Sequence, residues 1–154
     1  MTVKKINLMF KSIIVILGVS GLSLLVFAAP LISQNLEETN LNTVIQVMLW
    51  ITAIPVLFIL MTLWKISSRL LNETFFSKET SEGLIKIAYA SLIESGIYGI
   101  ALIFGLFQLK GNYPYFLVCF FFFFLGLVIA VIASLLSYIF RMAHELKDEN
   151  DLTI

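Results

Sequence analysis

Four long apolar runs alternate with short polar segments along the chain, at residues 12–32, 44–64, 84–109 and 115–140. Each is long enough to cross the roughly 30 Å hydrocarbon core of a bilayer as a helix. In hydrocarbon every backbone N–H and C=O must be satisfied inside the protein, which leaves only helices and closed barrels. The pattern therefore predicts an all-α integral membrane four-helix bundle. The spans consume nearly the whole chain, so residues 1–154 are read as a single membrane domain ending in a tail at 141–154.

The distribution of charge turns this pattern into a topology. Lys4, Lys5 and Lys11 precede the first span, and Lys65, Arg69, Lys78 and Lys86 lie in or beside the second loop. The first loop carries Glu37 and Glu38 but no base, the third has only Lys110, and the tail has Arg141 and Lys147. An even number of spans puts both termini and the second loop on one side, and the positive-inside rule makes that side cytoplasmic. The expected location is the bacterial inner membrane. Lys4 and Lys5, the apolar stretch and Val26-Phe27-Ala28 also resemble a signal peptide. The stretch is longer than a usual signal core and Pro30 hinders cleavage, so the first run is read as a retained span.

Composition agrees: of 154 residues, 60% are hydrophobic and 13% charged, and the mean hydropathy is +1.00, far from a soluble domain. The net charge is zero and no basic stripe forms, which argues against nucleic acid as a direct ligand. Cys119, the single cysteine, cannot form an internal disulfide and reads first as a small apolar residue.

Candidate chemistry inside the membrane is sparse. Pro55 leaves the Ile51 carbonyl without its helical donor and predicts a bend or hinge in the second span. The Phe run at 120–124 surrounds its helix, so part of it must face lipid. Trp50, Trp64, Tyr113 and Tyr115 fall near expected interfaces, where amphipathic rings anchor a span. In the third span Ser91, Glu94, Ser95, Tyr98, Gly99 and Leu102 share one face. Ser91, Ser95 and Gly99 form two small-xxx-small steps that admit a close neighbour. Glu94 lies about 12 Å inside Lys86 along the helix axis, where a bare carboxylate is expensive and should turn into the bundle. Depth matching pairs it with Ser20, Ser134 and Pro55, and Ser134 belongs to a small stripe with Ala130 and Tyr138, flanked by Ala133 and Ser137. The favoured role for Glu94 is a neutral, hydrogen-bonded glue residue; the alternative is a functional acid.

The cytoplasmic edge offers a second set of candidates. Phe75 and Phe76 precede Ser77, a good N-cap, with Glu79 in the turn that follows; a helix starting there would run unbroken into the third span. Ile66, Leu70 and Leu71 fit either an extension of the second span or a short helix on the inner leaflet. The chain ends in Asn150, Asp151, Leu152, Thr153 and Ile154, an apolar-tipped acidic tail able to dock into a groove. His144 stands alone, without a second ligand at metal spacing.

The step Phe76-Ser77-x-Glu79 before Leu84-Ile85-Lys86-Ile87, and the ending Ala143-x-Glu145-Leu146-Lys147-x-Glu149-Asn150-Asp151-Leu152-Thr153-Ile154, resemble the DUF2975 family of small bacterial membrane proteins. The resemblance implies four spans and carries over no catalytic residue. Members are often encoded beside small helix-turn-helix regulators, which implies a membrane partner for a transcription factor.

Two functions compete at this stage. One is a non-enzymatic membrane regulator or sensor that holds or releases a soluble partner through the Phe75–Glu82 segment and the tail. The other is a small transporter, channel subunit or immunity protein working through Glu94, with assembly into a homo-oligomer to make a path. An enzyme is not expected: there is no phosphate-binding glycine loop, no metal-ligand cluster and no nucleophile with a base. Accordingly no cofactor or metal is expected.

Overall fold

The helices form where the apolar runs lie and, except at the end of α3, extend beyond them. The computed structural model describes residues 3–34, 39–69, 77–109 and 113–151, with side chains described for 3–27, 43–69, 77–109 and 113–149. Its elements are α1 (Val3–Gln34), α2 (Thr39–Arg69), α3 (Lys78–Gln108) and α4 (Tyr113–Asp151). All four are long and apolar enough to cross a membrane. The charged residues just outside each run extend the helices because Lys, Arg and Glu are good helix formers with flexible stems. Thus α2 continues past its apolar run to Arg69, which favours the extension reading for that stretch; Leu70 and Leu71 lie outside the described residues.

Ser77 starts α3 as the sequence requires. Its backbone is extended (φ −123°, ψ 159°), and its hydroxyl accepts from the Thr80 N–H at 3.4 Å. Its carbonyl accepts from the N–H groups of Thr80 and Ser81 at 3.1 and 3.2 Å. Helix α3 then runs without interruption through Gly83 to Gln108.

Packing follows chain order. Helix α1 lies on α2, α2 on α3 and α3 on α4; among the described residues no Cα atoms of other helix pairs come within 8 Å. The bundle is thus laid out as a row. Its most extensive contact is α3 against α4, for a local reason. Helix α4 turns Cys119, Gly126, Ala130, Ala133 and Ser137 inward, a stripe of small side chains that lets the two backbones approach. In contrast, α1 buries only Asn7 among its described residues and presents most of its apolar surface outward.

Polar pairs fasten the basic end of the row. Ser67 donates to the Asn7 side-chain oxygen at 2.7 Å, joining α1 to α2. Ser81 and Ser137 bond to each other's carbonyls at 2.9 and 2.8 Å, joining α3 to α4. The Lys11 ammonium rests over the Trp64 ring, 4.9 Å from its centre, a cation–π contact beside the α1–α2 seam.

Candidate functional site around Glu94

Glu94 sits near the midpoint of α3, between one face that meets α4 and another that meets α2. The α4 face is set by Gly126: its Cα lies so close to α3 that a β-carbon would stand 2.9 Å from the Ser91 carbonyl oxygen. Ser95 uses this proximity, donating its hydroxyl to the Phe123 carbonyl at 2.9 Å. On the α2 face, Gly83 packs under Thr62 and Ile66, and Tyr98 meets the Thr52 side chain. Thr52 donates its own proton to the Leu49 carbonyl at 2.8 Å. The Tyr98 ring stacks on Phe122 at 5.1 Å.

Within this setting Ser91, Ser95 and Tyr98 are 1%, 2% and 7% exposed, and Glu94 9%. Ser91 Oγ and Glu94 Oε2 are buried without a hydrogen-bond partner among the described residues. The hydrogen bond that a glue residue would make is not formed by that oxygen. An unmet buried oxygen costs more than a satisfied one gains, so these two atoms carry unspent hydrogen-bonding capacity between the helices.

The residues expected to gather there divide. Ser91, Ser95, Tyr98 and Pro55 are buried, as expected of inward positions. Ser20 and Ser134 are exposed and do not join Glu94. Among the described residues the backbone of α1 comes close to that of α2 and of no other helix, so Ser20 stands apart from α3. Helix α4 turns Ala130, Ala133 and Ser137 inward, and this rotation carries Ser134 and Tyr138 to the outside. The sequence reading missed Thr52, Gly126 and the Ser81–Ser137 bond. The spacing of Gly126, Ala130, Ala133 and Ser137 was a usable signal, since steps of four, three and four residues trace one helical stripe.

The second candidate surface lies at the basic end. Beyond its apolar run α4 continues as a helical arm to Asp151, largely exposed over 141–149, with the ion pair Arg141–Glu145 at 3.0 Å and His144 Nε2 lying 3.6 Å from Asp148. Met142 and Leu146, one turn apart, are 45% and 65% exposed. The reciprocal Ser81–Ser137 bonds set the start of the arm beside the first turns of α3. Phe75, Phe76, Leu152, Thr153 and Ile154 lie outside the described residues; Asn150 and Asp151 are helical, with side chains outside the description.

Comparison with known proteins agrees with this architecture. The uncharacterized membrane protein YoaS of Bacillus subtilis (strain 168) is 26% identical over 155 residues, covering 96% of this chain and 97% of its own. No solved structure matches. The family DUF2975, described as proteins of unknown function, matches residues 26–154, which takes in the end of α1 and all of α2, α3 and α4. The chain belongs to the DUF2975 family of membrane proteins.

Proposed function

We propose that this is a non-enzymatic protein of the bacterial inner membrane, with both termini in the cytoplasm, that regulates by holding a soluble partner at its basic end. The observation that supports this is the α4 arm. A helix that leaves the bilayer needs no exposed apolar pair, yet Met142 and Leu146 form one on an arm with four acids against two bases over 141–151. The Arg141–Glu145 ion pair at i, i+4 spacing helps keep the arm helical, and helix-in-groove recognition uses anchors at this spacing. The family resemblance makes a small helix-turn-helix regulator the expected partner.

In-cell photocrosslinking from probes at Phe76, Leu146 and Leu152 tests the reading. A specific soluble protein should be captured, and Met142→Lys with Leu146→Lys should abolish capture while the protein still accumulates in the membrane. Crosslinks to lipid and to other copies alone would sink it. A second reading, a small transporter, channel subunit or immunity protein using Glu94, is favoured by the unpartnered Glu94 oxygen; it requires several copies to assemble around a path.

A further inference from the structure

Ser91 and Glu94 stand one turn apart on the same face of α3, and each keeps a buried oxygen without a partner among the described residues. The neighbouring side chains offer the hydroxyls of Tyr98 and Thr52, with the Cys119 thiol beyond Tyr98. Thr52 Oγ1 faces the Tyr98 hydroxyl, and Thr52 is itself buried. Hard oxygen donors suit alkali and alkaline-earth cations.

Charge then decides between the two groups. The apolar runs of α2 (44–64) and α4 (115–140) contain no charged residue at all. Glu94 is therefore the single anion available, and one carboxylate balances one positive charge. A divalent ion would carry uncompensated charge into hydrocarbon, which is heavily penalised. Protonation would neutralise Glu94 as well, and its acid proton has Ser91 Oγ one turn away as an acceptor, so a proton and a cation are rival occupants of the same two oxygens.

We propose that Ser91 and Glu94 form an internal site for one monovalent cation of the sodium type, bound between α3 and its neighbours with Thr52 and Tyr98 as flanking oxygens. Protons compete for the same carboxylate. The titratable groups near it are few: Tyr98 on its own helix, none on the apolar run of α2, and on α4 Cys119, which lies beside Tyr98. Lys86, the base nearest in α3, is exposed and about two turns away. The proposal concerns occupancy and rests on neither functional reading above.

The experiment uses the full chain in lipid nanodiscs, with radioactive sodium binding read directly and tryptophan fluorescence in parallel, Trp50 being two residues from Thr52. Choline replaces sodium at constant ionic strength. Expected is saturable binding of one sodium per chain, with half-saturation rising roughly tenfold for each unit of pH lowered through the range of proton competition. Glu94→Gln should abolish binding, Ser91→Ala should weaken it about tenfold, and Ser134→Ala, on the outer face, should leave it unchanged. Circular dichroism checks that each variant folds. If Glu94→Gln does not fold, Ser91→Ala decides: unchanged affinity overturns the site. Absence of sodium binding by the folded wild-type chain overturns it too. So does a Glu94-dependent response to pH in choline with no sodium bound, which would mark a proton site only.

Discussion

Gly126 sets the distance between two helices. A β-carbon there would meet the Ser91 carbonyl oxygen at 2.9 Å, the Ser95 β-carbon at 3.0 Å and the Ser95 nitrogen at 3.2 Å. Backbone atoms cannot swing aside, so Gly126→Ala should lower stability by about 1–3 kcal/mol, read from unfolding in mixed micelles. Gly21 and Gly96 meet nothing within 4 Å. Alanine at either should be neutral or stabilising by up to about 1 kcal/mol; a loss at Gly96 equal to that at Gly126 would refute this packing. The contrast explains what was legible at this scale. Spacing assigns residues to a shared face, which is why Ser91, Ser95 and Tyr98 were read as inward together. It does not say which of two adjacent faces meets a neighbour, so Ser134 was read as inward when Ser137, rotated from it by about 60°, makes the contact.

For elements, the informative places are helix ends and seams. Ser77→Ala removes the hydroxyl that caps α3 and should cost about 1 kcal/mol, with Ser77→Asp restoring it. Hydrogen exchange over the first turn of α3 would show the loss as faster exchange confined to that turn. At the α3–α4 seam, a double-mutant cycle on Ser81 and Ser137 should give a coupling of about 0.6–2 kcal/mol, the range for polar contacts between membrane helices. Zero coupling would mean the reciprocal bonds do not hold the seam. The cap was readable because Ser followed by Glu two residues later carries local chemistry. The seam was not, because a serine pair 56 residues apart leaves no local trace.

At the scale of the whole molecule, helix order can be read by paired cysteines in a Cys119→Ala background. Asn7 with Ser67, and Ser81 with Ser137, should crosslink on oxidation; Ser20 with Ser134 should not. Reporter fusions test orientation: a reporter active only outside should work in the first loop and fail after Lys147. The four spans were legible from hydropathy since length alone decides whether a helix can cross. Their order was not, as four apolar helices are chemically alike to one another.

That order has a consequence for biogenesis. Because, among the described residues, each helix packs backbone to backbone on its neighbours in the chain, every span from α2 onward meets a waiting partner as it leaves the ribosome and enters the bilayer. No early helix has to stay unsatisfied until a distant one arrives, and the contacts remain as local as helix hairpins allow. Synthesis and assembly can proceed in step, from α1 to α4, with the arm of α4 delivered last.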